Sequence, residues 1–203
     1  MSKIDFKKEL KHLYGPSKKE FTVVDVPAMD FLMVDGHGDP NTAPEYADAV
    51  QTLYGVAYKL KFMSKKEEGL DYVVPPLEGL WWVDEMSEFT MKDKSEWDWT
   101  MMVMQPEFLT QEMLQKVLGE VQDLPALSKL RVETYHEGLS VQIMYIGPYA
   151  DEGPTIARMH TFIEENGYEP AGKHHEIYLS DPRRTAPEKL KTVIRQPIRK
   201  AGS

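Results

Sequence analysis

Two hydrophobic rhythms alternate along the chain. Extended runs, apolar at every second position or continuously β-branched and aromatic, occur at 21–26, 31–36, 80–83, 97–105, 131–135, 142–147, 176–179 and 190–196. Between them the period lengthens to that of a helix. Over 44–62 the stripe is Tyr46, Val50, Leu53, Tyr54, Ala57 and Leu60; over 153–166 it is Ile156, Met159, His160 and Ile163, with Asn166-Gly167 as a stop signal. A third amphipathic stretch, 106–123, carries Leu109, Met113, Leu114, Val117, Leu118 and Val121 on one side. Phe6, Leu10, Leu13 and Tyr14 suggest a short N-terminal helix over 3–14, and the charged stretches 63–69 and 85–95 read as solvated loops.

The order of these elements repeats. Phe31-Leu32-Met33-Val34-Asp35-Gly36 and Gln142-Ile143-Met144-Tyr145-Ile146-Gly147 are each preceded by another extended run, across Pro27-Ala28 in one case and His136-Glu137-Gly138 in the other. Both pairs read as antiparallel hairpins. A helix and two more strands follow each pair, and both last strands end in Gln-Pro, at Gln105-Pro106 and Gln196-Pro197, where proline is expected to halt the ladder. The expected fold is therefore α+β: a duplicated β-β-α-β-β unit with pseudo-twofold symmetry and antiparallel sheets. Helices cover one face and a ligand cleft lies between the halves. The first repeat spans about 21–106, a linking helix about 107–124 and the second repeat about 131–198, all in one domain.

Composition narrows the function classes. A chain of 203 residues suits one domain or two tightly joined halves. The net charge of −9 repels a phosphate backbone, so direct nucleic-acid binding is disfavoured, and the lysines near both ends read as a solvated face. The absence of cysteine excludes disulfides, thiolate zinc sites and cysteine nucleophiles. No apolar run reaches membrane-spanning length and no secretory signal is evident, so a cytoplasmic location is expected. The segment Gly36-His37-Gly38-Asp39-Pro40 lacks a dinucleotide fingerprint, and no cofactor is expected.

The candidate chemistry sits on the late strand His174-His175-Glu176-Ile177-Tyr178-Leu179. Side chains alternate, so His174, Glu176 and Tyr178 share one face while Ile177 and Leu179 share the other. With the apolar pair turned to the helices, Glu176 and Tyr178 point into the cleft. Matching the halves by order places Trp82 in the cleft and Trp81 in the core; a one-residue slip exchanges them. Tyr145 and Trp99 are further candidates for the cleft wall. Indole and phenol rings bind flat molecules and cations, and a carboxylate among them requires a cation or a donor. Glu176 is the candidate base toward water and Tyr178 the candidate donor to developing charge. His174 and Glu176 lack a third ligand on their face, so no metal site is expected.

With these residues in place, the chain resembles the GyrI-like small-molecule-binding family. The resemblance rests on the 33–36 strand end, Trp81-Trp82, 143–147 and His175-Glu176-Ile177-Tyr178-Leu179, and it extends from about residue 20 to residue 198. It implies an acidic residue on a late strand ringed by aromatics, with Glu176 at that position, and binding of amphipathic, often cationic, aromatic small molecules. Some stand-alone members resemble hydrolases that open the cyclopropane of DNA-alkylating natural products. The Trp81-Trp82 pair resembles those members more than regulator effector domains. By that analogy Glu176 activates water, Tyr178 or Tyr145 assists, and Trp82 stacks on the drug. The alternatives are a non-catalytic sequestering or sensing protein, or an adaptor acting on a protein partner. Only about twenty residues precede the first strand, too few for the DNA-binding module of the family's regulators.

Overall fold

The computed structural model describes residues 3–83 and 94–202. The expected loop over 85–95 lies, as far as residue 93, outside them. Two turns of helix, α1 (Phe6–Glu9) and α2 (Lys11–Tyr14), precede β1 (Thr22–His37), α3 (Pro44–Glu67), β2 (Leu77–Trp82), β3 (Asp98–Gln105) and α4 (Gln111–Glu120). Then follow β4 (Arg131–Ile146), α5 (Gly153–Glu165), β5 (Tyr168–Pro170), β6 (His174–Tyr178) and β7 (Lys191–Lys200). The fold is mixed α+β around an antiparallel sheet of order β4-β1-β3-β2-β6-β7-β5. β4 also pairs with β7, so the order closes on itself with β5 as an appendage.

Two expected hairpins are instead single strands. β1 and β4 each run 16 residues without turning and pair with one another from Thr22↔Gln142 to Met33↔Arg131. The ladder skips only the position of Pro27, between Val26↔Gly138 and Ala28↔His136. Proline lacks the N–H, and Gly138 takes the positive φ of 72° that the local irregularity demands. Both turn signals thus mark a flaw inside a strand. Their length lets each strand serve two partners: the second half of β1 pairs with β3, and the second half of β4 with β7. Pro106 does end β3, but Pro197 lies inside β7, which continues to Lys200 and carries β5. The α3 helix extends to Glu67, taking in most of the expected loop at 63–69; its last turn holds Ser64, whose hydroxyl donates to the Leu70 carbonyl at 3.0 Å.

Helices α3 and α4 cover one sheet face through Leu53, Val56, Leu60, Met113 and Val117 against Leu32, Trp99, Met101 and Val103. On the same side α5 packs Met159 and Ile163 on Val141, Ile143 and Ile194. The opposite face, expected to be open across a groove, is covered by the N-terminal segment: Phe6, Leu10, Leu13 and Tyr14 pack there with Phe31, Met33, Leu80, Met102, Ile177 and Val193.

Candidate functional site

The β2–β6 ladder fixes which residues share a face. Trp81 pairs with His174, Gly79 with Glu176 and Leu77 with Tyr178. Directly opposed residues project to the same side, so Trp81, His174, Glu176 and Tyr178 stand together, on the face that α3 and α5 cover. One orientation therefore differs from expectation. Trp81 lies in the core beneath the helices and Trp82 on the far side, where it packs against the cluster of Leu80 and Met102 with the Lys173 ammonium 3.3 Å from its ring centre, as matching the halves placed them. Glu176 and Tyr178, expected on the Trp82 face, instead face the long helices with Trp81, because Ile177 is needed beneath the N-terminal segment, where Leu13, Tyr14 and Val193 enclose it.

Glu176 is 6% exposed and both its oxygens are engaged. His174 Nε2 lies 3.2 Å from Oε1, and the Tyr178 hydroxyl donates to Oε2 at 2.7 Å. Trp81 Nε1 in turn donates to the Tyr178 oxygen at 3.0 Å. Burial alone would raise the Glu176 pKa, but the His174 and Tyr178 bonds, with the His174 charge, outweigh it and hold the carboxyl below its ordinary value. Burial and the Glu176 charge drive the Tyr178 phenol well above the ordinary range, so it remains a donor.

A second carboxyl completes the arrangement. Glu152, fully buried at the start of α5, faces Glu176 and the Thr192 hydroxyl. Neither of its oxygens completes a hydrogen bond of good geometry. Desolvation, then repulsion by Glu176, pushes its pKa up to about 10. Of this coupled pair Glu176 is the member that favours ionisation and Glu152 the member that favours the proton. Sequence reading passed over Glu152 because an acidic residue just before Gly153-Pro154 resembles a helix cap; its side chain caps nothing.

An aromatic cluster adjoins the carboxyls through Tyr178 and Trp81. Tyr46 from α3 stacks on Trp81 at 6.2 Å and meets Trp99 edge-on at 5.5 Å. Trp97 meets Trp81 at 5.4 Å, and Tyr149, in the turn before Glu152, sets its ring edge-on to Tyr178 at 5.6 Å. Tyr46, Tyr149 and Tyr178 are partly exposed and form the outer rim. Two glycines make room for the indoles: a Cβ at Gly79 would meet Trp81 Nε1 at 2.7 Å, and one at Gly36 would meet the Trp99 ring at 2.1 Å. Tyr46 reads as part of a packing stripe and Tyr149 carries no signal of its own, whereas Gly79, a glycine just before the Leu80-Trp81-Trp82 run, was a usable signal of close approach.

Tyr145, opposite Thr192 on the Glu152 side of the site, donates its hydroxyl to the Pro148 carbonyl at 3.0 Å, and its ring packs on the α5 side of the sheet. Among the described residues no group of three or more His, Asp or Glu side chains is placed to hold a metal ion.

A family model describing a GyrI-like small-molecule-binding domain matches residues 19–199. The chain belongs to the GyrI-like family. Its solved relatives include an uncharacterized conserved protein from Listeria innocua, 45% identical, with a TM-score of 0.88 over 97% of this chain and 100% of that one. Two structures of hydrolases from the same organism are 42% and 43% identical, with TM-scores of 0.84 and 0.85 over 97% and 98% of this chain and all of theirs. The C-terminal domain of EcmrR shares the GyrI-like fold at 12% identity and a TM-score of 0.57, over 90% of this chain and 98% of that domain. No functionally curated protein matches the chain. No helix among the described residues is long and apolar enough to cross a membrane.

Proposed function

We propose that this GyrI-like protein binds planar, amphipathic or cationic aromatic compounds against Trp81 and Glu176 and hydrolyses those that carry a strained cyclopropane, a detoxifying role in the cytoplasm. The observation that carries the reading is the buried carboxyl pair, Glu176 held by donors and Glu152 without them, beside a ring cluster of Trp81, Tyr46, Tyr149 and Tyr178 that Trp97 and Trp99 extend. The two relatives described as hydrolases, at 42% and 43% identity, support the enzymatic half. The pairing orders β1-β3-β2 and β4-β7-β6, joined by β2–β6 and β1–β4, support a duplicated unit with pseudo-twofold symmetry. In that reading Glu176 and Trp81 meet at the seam between the halves.

The chemistry balances on the pair. Glu176 takes a proton from water as the oxygen bonds to the cyclopropane methylene. The bond from that methylene to the carbon shared with the conjugated ring breaks, and its electron pair enters that ring, which becomes aromatic. Neutral Glu152 supplies the proton to the resulting phenolate oxygen, and transfer from Glu176 to Glu152 restores the starting state. The reaction adds one water and consumes nothing else. Tyr178, held by Trp81 Nε1, keeps the Glu176 carboxylate oriented. General acid and base assistance of this kind contributes ~10²–10⁴-fold.

A second reading, passive sequestration, is favoured by one feature: both Glu176 oxygens already have partners. The two readings separate when substoichiometric protein is incubated with excess of a cyclopropane-bearing alkylator and ring-opened product is followed by mass spectrometry. Hydrolysis yields many equivalents of product and Glu176→Gln cuts the rate at least ~100-fold. Sequestration yields none, and a rate unchanged in Glu176→Gln removes Glu176 from the mechanism.

A further inference from the structure

The two buried carboxyls compete for one set of donors. His174 Nε2 and the Tyr178 hydroxyl are each 3.2 Å or less from a Glu176 oxygen, and Trp81 Nε1 is committed to Tyr178. Glu152, equally removed from solvent, completes no bond at either oxygen, and neither does the Thr192 hydroxyl beside it. A carboxylate left without donors in such a place is costly, so Glu152 keeps its proton as long as nothing else neutralises it. A ligand bearing a permanent positive charge is such a neutraliser, and an uncharged ring of the same shape is not.

We propose that cationic ligands enter this site in exchange for the Glu152 proton, which makes Glu152 the residue that selects charged over uncharged aromatic compounds. The inference rests on the reading that planar compounds bind against Trp81, and it adds the ion bookkeeping of that binding. A cation seated beside Glu176 brings Glu152 into its field, the proton leaves to solvent, and two carboxylates then share one positive charge. A neutral ligand leaves the proton where it is. Other ionisable groups facing the pair are His174 and Tyr178 on β6, Tyr149 in the turn before α5, Tyr46 on α3, Tyr145 on β4 and Lys94. The tyrosines are held neutral by desolvation, with Tyr149 raised to about 12, so they release no proton near neutrality. The position of Glu152 itself, displaced upward chiefly by burial, agrees with a proton that is present before binding.

Calorimetric titrations with 5-methylphenanthridinium and with phenanthridine, in two buffers of different ionisation enthalpy, read the proton count directly. The cation is expected to release about one proton per site and to bind about tenfold tighter per pH unit between pH 6.5 and 8.5, whereas phenanthridine releases none. Glu152→Gln should bind the cation with no release and no pH slope, and its retained phenanthridine affinity shows that the site is folded. Cation binding by the wild type with less than about half a proton released, or release that persists in Glu152→Gln, overturns the exchange but leaves the aromatic site standing. Failure of both compounds to bind overturns the site and the exchange together.

Discussion

Glu152 combines full burial with the lack of a completed hydrogen bond, a combination that proteins tolerate chiefly where it serves a function. It also leaves a mark on stability. Its pKa rises from an ordinary 4.5 to about 10 on folding, so the native state holds this proton more tightly than the unfolded chain. Its contribution is present in full below pH 4.5 and is lost as pH climbs toward 10, by up to ~1.4 kcal/mol per pH unit. Glu152→Gln has no proton to lose. Its melting temperature should exceed that of the wild type by a margin that widens from pH 5 to pH 8, and a constant margin would show that Glu152 is ionised throughout. Tyr178→Phe tests the neighbouring link. It removes the 2.7 Å bond to Glu176, a bond to a charged group worth ~1.5–3 kcal/mol, and should slow alkylator opening at least ~10-fold while leaving the fold intact. An unaltered rate would mean that the phenol is mere wall.

At the scale of elements, β6 does two jobs on its two faces. His174 and Glu176 serve the aromatic site, and His175 between them points to the side beneath the N-terminal helices. There its Nδ1 lies 2.8 Å from Glu137 and its Nε2 2.9 Å from Glu78. Arg195 bonds Glu137, Gln142 and the Leu13 carbonyl, and Tyr14 donates to Glu78. Burial opposes a charged His175, yet the Glu137 and Glu78 charges and hydrogen bonds raise its pKa to about 9. With the folded value above the ordinary 6.5, this stabilisation is complete below pH 6.5 and lost as pH passes 9. Arg195→Met leaves Glu137 short of a buried partner and should cost ~3–5 kcal/mol, lowering the melting temperature by about 6–20 °C. A drop under 2 °C would show the network to be incidental. The alternation along 174–179 was readable from sequence, and so was the membership of each face. Which face met the helices was not, because the N-terminal segment that claims Ile177 is distant in sequence. The expectation that Trp82 shares a face with Glu176 failed with it: each tryptophan lies on the face expected of it, and Glu176 joins Trp81 in the helix-covered core. Pro27 and Gly138 misled in another way, since the same residues that make turns also sit at ladder irregularities.

For the whole molecule, the hydrophobic period located the helices and most strand segments but split β1 and β4 into hairpins and passed over β5; the closure of the sheet was not legible either, since it depends on those long strands each serving two partners. The ladders β1–β4, β2–β6 and β4–β7 tie early and late residues into one antiparallel system. All four tryptophans lie between residues 81 and 99. Unfolding followed by tryptophan fluorescence therefore reports the first half, and far-ultraviolet circular dichroism reports both. The two curves should coincide in one transition, and separated midpoints would show halves that fold independently. The site itself depends on this closure, because Trp81 comes from one side of the β2–β6 ladder and Glu176 from the other. The central claim is that ligands bind on the helix-covered face at Trp81, not at Trp82 on the opposite face. The affinity for 5-methylphenanthridinium, measured in Trp81→Phe and Trp82→Phe, tests it most directly. The account expects at least ~10-fold weakening in Trp81→Phe, as befits loss of an indole face for a cation, and a change under about twofold in Trp82→Phe. The reverse pattern would place the ligand on the other side of the sheet and contradict the account.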